Sequence, residues 1–161
     1  INPVDGHLGV KETGHAEYYF TSNAIDTNNP GSGTAAVIEG TRIAGSSSPN
    51  FTVDVATPDL EYIGTPDCIV KCGVNVSWIN DGGGGSDEVK VLLQVYKNGV
   101  ALDNLWARAH LDDGPNDYPR NASLSGFIDL QTNDKIDVRV TNDTNTQDLL
   151  IEGFNLNLLI I

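Results

Sequence analysis

Short runs of alternating apolar and polar residues recur along the chain, separated by loops rich in Gly, Pro, Asn, Asp and Ser. In CIVKCGVNVSW (68–78), every second residue from Cys68 to Trp78 is apolar, and all but one of the residues between them are polar or Gly. This period of two indicates a strand with one buried face. EVKVLLQVY (88–96) alternates in the same way, with Val89, Val91, Leu93 and Val95 on the face predicted to be buried. No long amphipathic helix is predicted, and the pattern favours an antiparallel β-sandwich or barrel.

Turn signals connect these strands. Asn98-Gly99 predicts a type I′ turn between 88–96 and 101–111, because that turn needs positive φ at both central residues. SLSGFIDL (123–130) and KIDVRVTN (135–142) predict a second hairpin across QTND. The other strand candidates are 15–22, 34–45, 51–64 and 149–161. We expect about eight strands, all antiparallel because their loops are short, and an arm or linker at residues 1–14.

The closing segment LLIEGFNLNLLII (149–161) is apolar on both faces of the predicted strand. One face carries Leu150, Phe154, Leu156, Leu158 and Ile160; the other carries Leu149, Ile151, Gly153, Asn155, Asn157, Leu159 and Ile161. A strand of a sandwich sheet has a single core to face, so the second apolar face needs another cover. We expect a neighbouring copy of the same chain to supply it.

Charge and length narrow the function classes. The 161 residues predict one domain. The chain holds 22 acidic and 9 basic residues, a net charge of −13, which argues against nucleic acid and against anionic membranes as partners. Cys68 and Cys72 would lie about 13 Å apart along a strand, too far for a disulfide. With no second ligand pair for zinc, they are predicted to be small core residues.

Candidate chemistry is sparse. DDGPND offers Asp112, Asp113, Asn116 and Asp117, oxygen ligands that suit calcium, although a solvated acidic loop is the simpler interpretation and no EF-hand pattern is present. No other cofactor is predicted. The 16 Asp residues make chance carboxylate pairs expected, and no G-x-S-x-G nucleophile setting occurs, so we predict that the protein is not an enzyme. Trp106 is interpreted as a packing anchor, and Tyr18-Tyr19-Phe20 as core plus contact with another copy.

The order of several segments resembles a known family. Six segments follow one another in the order and at the spacing found in that family: AEYYF, NFTVDVATPDLEYIG, CIVKCGVNVSW, VLLQVYKNGVAL, SLSGFIDLQTNDKIDVRVTNDT and LLIEGFNLNLLII. Together they resemble the trimeric jelly-roll domain of the C1q and tumour-necrosis-factor families, and more closely its versions in virion proteins of tailed bacteriophages. The resemblance covers residues 15–161 and implies an all-β, antiparallel jelly-roll sandwich that assembles as a homotrimer.

The resemblance also implies a virion role. We expect a capsid decoration (cement) protein on the outer capsid surface, which binds the major capsid protein and stabilises the shell. The alternative is the receptor-binding head of a viral fibre or spike; the lack of a collagen-like repeat or heptad arm upstream favours decoration. The trimer-interface candidates are Tyr19, Phe127, Phe154, Leu156, Leu159 and Ile161, and the capsid-contact candidates are Ile1, Asn2, Pro3, Val4, His7 and Leu8.

Overall fold

The computed structural model describes residues 14–27, 33–79, 89–111, 120–144 and 148–161. These ranges form twelve β-strands and no helix. The strands are β1 His15–Phe20, β2 Asp26–Thr27, β3 Ala35–Val37, β4 Ile43–Ser47, β5 Phe51–Val53, β6 Asp59–Tyr62, β7 Cys68–Ile79, β8 Val89–Lys97, β9 Val100–Leu111, β10 Arg120–Leu130, β11 Lys135–Asn142 and β12 Leu149–Ile160.

The strands form two antiparallel sheets. Sheet A has the order β10-β7-β12-β1-β4, with β2 also paired to β12. Sheet B has the order β5-β6-β11-β8-β9, with β3 also paired to β11. The predicted all-β class and the antiparallel sandwich are therefore confirmed.

The long strands pair in a nested order. The innermost pair is β8 with β9; around it lie β7 with β10, β6 with β11, and β1 with β12. The chain is thus one long hairpin whose successive pairs alternate between sheet B and sheet A. The outermost pair sets His15 opposite Leu159, which joins the two ends of the described fold. Such pairing between distant residues predicts slow folding, because large loops must close before contacts form.

The core lies between the inward faces of the two sheets. The inward residues of β7 from Val70 to Trp78, and those of β8 from Val89 to Val95, are at most 2% exposed, as their alternation predicted. Phe154 of β12 packs against the rings of Tyr18 and Phe20, with centroid distances of 5.2 and 5.6 Å. Burial raises the pKa of the Cys72 thiol to about 12, so this cysteine is a neutral core residue.

One predicted turn is confirmed and the other is wrong. Asn98 and Gly99 have φ of 53° and 78°, as the type I′ turn between β8 and β9 requires. The segment 131–134 does not close a hairpin, since β10 pairs with β7 whereas β11 pairs with β6 and β8. Four extended residues span up to about 13 Å, enough to cross the roughly 10 Å between packed sheets. QTND therefore carries the chain from sheet A to sheet B.

Strand β12 contains a β-bulge that corrects the predicted pattern of its two faces. Ile151 lies opposite Trp78 and Gly153 opposite Ser77, so Glu152 is an additional residue in the ladder. A bulge changes which face the following residues occupy. Leu149 and Ile151, 2% and 0% exposed, therefore point into the same core as Leu156 and Leu158. The only large apolar side chains of this segment exposed on the outer face are Leu159 and Ile161.

A buried carboxylate holds the two turns together. Asp134 is 7% exposed, and its carboxylate accepts hydrogen bonds from the Gln131 amide at 2.8 Å, from Asn98 Nδ2 at 2.6 Å and from Lys97 Nζ at 3.0 Å. Burial by itself raises the pKa of Asp134, but these hydrogen bonds and the charge of Lys97 outweigh burial and bring the pKa below its usual value. The β8–β9 turn is thereby fixed to the crossover.

Deletion of Glu152 tests the bulge. Without this residue the ladder is regular and still directs Ile151 and Phe154 inward, so we expect a loss of about 1–2 kcal/mol in the free energy of unfolding. The loss comes from the Asn23 amide, which donates to the Glu152 carbonyl oxygen at 3.1 Å. Deletion of Asn155 is the control, because it turns one half of the strand's apolar residues to solvent and should prevent folding. Urea denaturation that gives similar losses for both deletions would contradict the bulge.

Asp134→Asn tests the buried carboxylate. The folded-state pKa lies below the value of about 3.9 in an unfolded chain, so the ionised group contributes stability that is complete above that value and is lost as pH falls through the folded pKa. We expect Asp134→Asn to lower the free energy of unfolding at neutral pH by about 1–3 kcal/mol, and to make the loss of stability below about pH 4 shallower. Urea denaturation across this range measures both effects. Asp129→Asn, at an exposed position of β10, controls for net charge, and parallel profiles for Asp134→Asn and the unmodified chain would refute the assignment.

Candidate functional site

Four apolar side chains form a cluster on the outer face of sheet A. Register places Phe127 of β10 and Leu159 of β12 on either side of Lys71 in β7. Ile69 lies on the same face of β7, two residues before Lys71. Its carbonyl oxygen accepts a hydrogen bond from the Ile161 amide at 3.1 Å, which places Ile161 beside it. Ile69, Phe127, Leu159 and Ile161, here called the apolar corner, are 46%, 58%, 43% and 49% exposed. Neighbouring strands lie about 4.8 Å apart, so these side chains form a patch around the exposed Lys71.

Hydrogen-bonded amides lie on the same face. Asn157 Nδ2 donates to Asn155 Oδ1 at 2.8 Å, and Asn155 Nδ2 donates to Glu17 Oε1. Beside them is a groove of about 570 Å³, here called the amide trough. Its outward lining includes Glu17, Tyr19, Asn75, Ser77, Asn121, Ser123, Gly153 and Asn155. In this lining, Gly153 and the short side chains of Ser77 and Ser123 accompany the bulky Tyr19.

Strand β10 positions Phe127 at one edge of sheet A. It pairs with β7 along its length, from Arg120 opposite Trp78 to Leu130 opposite Cys68. Leu105 of β9, 1% exposed, packs beneath it. Gly126 permits this approach, since a Cβ there would lie 2.5 Å from Leu105 Cδ2. Phe127 therefore projects outward from a fixed backbone beside the apolar corner.

The structure separates the predicted interface residues into two groups. Tyr19, Phe127, Leu159 and Ile161 lie on the outer face of sheet A. Phe154 and Leu156 lie in the core, 4% and 0% exposed, and their assignment to an interface is corrected because they have almost no surface to offer another copy. The alternation of β12 contained the signal, since Phe154 and Leu156 fall on the opposite face from Leu159 and Ile161.

The other predicted sites fall outside the described residues. These are the capsid-contact candidates Ile1, Asn2, Pro3, Val4, His7 and Leu8, and the calcium candidates Asp112, Asp113, Asn116 and Asp117. Over the ranges that the structure describes, no three His, Cys, Asp or Glu side chains are grouped so as to hold a metal ion. Over the same ranges, no helix has the length and apolar character needed to cross a bilayer.

The sequence interpretation of Trp106 is wrong. Trp106 is 51% exposed on the outer face of sheet B, and the neighbouring Leu105 is the buried anchor instead. The reason is register, which sets Trp106 opposite Gln94 on the outward-facing positions of β8 and β9. The spacing Trp106, Arg108, His110 carried the signal, because residues two apart on a strand share a face.

Comparison with known proteins finds no protein-family model that matches the chain. The search of curated proteins likewise finds no match to this sequence. The function is therefore inferred from the geometry and chemistry of the two outer faces.

Proposed function

We propose that this chain is a non-enzymatic structural virion protein. It forms a homotrimer of C1q/TNF-like jelly-roll domains, binds the major capsid protein of a tailed virus and stabilises the outer capsid surface as a decoration protein. The observation that carries the proposal is the apolar corner beside the amide trough on the outer face of sheet A. This role requires no cofactor.

The nested pairing supports the jelly-roll assignment. A jelly roll is a double sheet of eight antiparallel strands with two Greek keys. Without the short strands β2, β3, β4 and β5, eight strands remain and divide into the orders β10-β7-β12-β1 and β6-β11-β8-β9. Rolling one long hairpin into two sheets gives such an order. A jelly roll is also the fold that the sequence resemblance over 15–161 implies.

The size of the outer face of sheet A suits an interface between copies. Four strands at about 4.8 Å give a width of about 19 Å, and eleven residues at about 3.3 Å give a length of about 36 Å. The product, about 700 Å², approaches the roughly 800 Å² that one partner contributes to a standard interface. Covering the exposed halves of the four corner side chains contributes about 3–6 kcal/mol per subunit.

A closed ring explains how copies use this surface. A head-to-tail contact joins two different patches of the same chain and closes when the rotation permits. Each copy offers Phe127 on the edge strand β10 as a projection, and the amide trough as a recess. When the β10 edge of one copy packs against the outer face of sheet A in the next copy, Phe127 and the amide trough are both buried. Three copies close the ring in the proposed trimer.

The proposed work of the trimer is mechanical. A three-fold object over a three-fold junction of capsid subunits makes several weak contacts at once, and each contact holds the others in place. Residues 1–14 are the proposed strap onto the capsid. The net charge of −13 keeps the decorated particle soluble.

Charge inserted into the apolar corner tests the trimer. We expect Phe127→Asp and Leu159→Asp to reduce the mass in solution from about 52 kDa, three times the 17.2 kDa chain, to that of one chain. Each variant replaces an apolar contact with a hydrated carboxylate, and the neighbouring Lys71 offsets only part of the cost of burying that charge. Light scattering after size-exclusion chromatography measures the mass. Val100→Asp is the matched control, since Val100 is 68% exposed at the β8–β9 turn and should leave the mass unchanged. A single-chain mass for the unmodified protein, or trimers for both corner variants, would refute the interface.

Removal of residues 1–14 tests the strap. We expect the truncated chain to form trimers but to bind empty capsids at least about tenfold more weakly, which corresponds to about 1.4 kcal/mol. Occupancy on capsids imaged by electron microscopy gives the result, and full occupancy would refute the role of the arm. Copy number in purified particles separates decoration from a fibre head, since decoration requires hundreds of copies and a fibre or spike a few tens at most.

A further inference from the structure

An aromatic side chain lies unburied on the sheet opposite the apolar corner. Trp106 is 51% exposed, and the Arg108 guanidinium lies over its ring, with Cζ 5.7 Å from the ring centroid. Gln94 stands opposite it across the ladder, and Gln94 Nε2 donates to the Leu102 carbonyl oxygen at 3.3 Å. The indole thus presents an exposed aromatic face, here called the platform, beside polar side chains.

Two grooves adjoin this platform and share Arg108. One, of about 420 Å³, is lined by Leu92, Gln94, Asp103, Trp106 and Arg108. The other, of about 310 Å³, is lined by Lys90, Arg108, Ala109, His110 and Asp143. Both volumes lie in the range of about 300–1,000 Å³ that small-ligand sites occupy. Together they follow the strand from Trp106 to His110, a distance of about 13 Å.

We propose that Trp106 and the two grooves bind a neutral oligosaccharide. A pyranose ring presents an apolar C–H face that stacks on an indole, and hydroxyl groups at its rim that both donate and accept hydrogen bonds. Three planar polar groups lie around the indole. The Asp103 carboxylate accepts hydrogen bonds, the Arg108 guanidinium donates them, and the Gln94 amide does both. The length of the paired grooves fits a chain of sugars better than a single ring.

Charge selects a neutral ligand. In the lining of the two grooves, Asp103 and Asp143 balance the charges of Lys90 and Arg108. The site therefore offers no excess of positive charge to a phosphate or a nucleic acid, in a protein whose net charge is −13. Arg108 is 3.9 Å from Asp143, so its positive charge is partly balanced within the site. The Trp106 grooves lie on sheet B, whereas the proposed trimer contact lies on sheet A. The ligand site therefore goes beyond the proposed function and does not depend on it.

Tryptophan fluorescence provides a direct test, because the chain has two Trp residues and the other, Trp78, is fully buried. Acrylamide quenching thus reports on Trp106. The probes are cellotetraose, maltotetraose, chitotetraose and mannotetraose, with saturation-transfer NMR as a second readout. We expect at least one tetrasaccharide to protect Trp106 from quenching. By NMR, Trp106→Ala should weaken its binding at least tenfold, while Trp106→Phe, which retains an aromatic face, should retain most of it.

Two controls separate this site from the trimer. Val100→Ala, at an exposed position of the same sheet, should leave binding unchanged, and so should Phe127→Asp even where it dissociates the trimer. Binding of none of the four probes, or equal binding by Trp106→Ala and the unmodified chain, would overturn the proposal. Trp106-dependent binding of hexaglutamate without any saccharide would also overturn it, and would assign the surface to an acidic protein partner.

Discussion

The fold depends on strand β12 keeping its apolar residues in one core while it pairs with β7, β1 and β2. A regular strand of this sequence would divide them between two faces. The additional residue Glu152 removes the conflict, because the bulge returns Leu149 and Ile151 to the side of Leu156 and Leu158. The apolar residues of β12 are thereby buried within a single chain, except at the end of the strand, where Leu159 and Ile161 are exposed on the outer face of sheet A.

The two outer faces of the sandwich have different chemistry. On sheet A, the leftover apolar side chains meet Phe127 and Ile69 beside a shallow amide-lined groove, a surface suited to another protein chain. On sheet B, Trp106 stands among carboxylate, amide and guanidinium groups, a surface suited to a polar ligand. In the proposed trimer, sheet A makes the contacts between copies and sheet B faces outward. The proposed assembly and the proposed ligand site therefore use separate faces.

Local pattern predicted the parts of the fold that are local. The alternation of β7 and β8 and the Asn98-Gly99 turn are confirmed, because a half-buried strand and a type I′ turn each leave a direct signal in neighbouring residues. The crossover at 131–134 was missed since the partner of β10 is β7, about 50 residues earlier in the chain. The bulge at Glu152 was missed because it is defined by register against β7. At the candidate site the limit is different, because the local alternation of β12 already separates the exposed Leu159 and Ile161 from the buried Phe154 and Leu156. The prediction that placed Phe154 and Leu156 at an interface went against that alternation.

The most direct test of self-association through sheet A is sedimentation equilibrium of the unmodified chain at micromolar concentration. We expect a single species of about 52 kDa, three times the 17.2 kDa of one chain, with no exposed apolar corner to bind a hydrophobic dye. A soluble species of one-chain mass across that concentration range would contradict it, because the apolar corner would then be stable in water without a second copy.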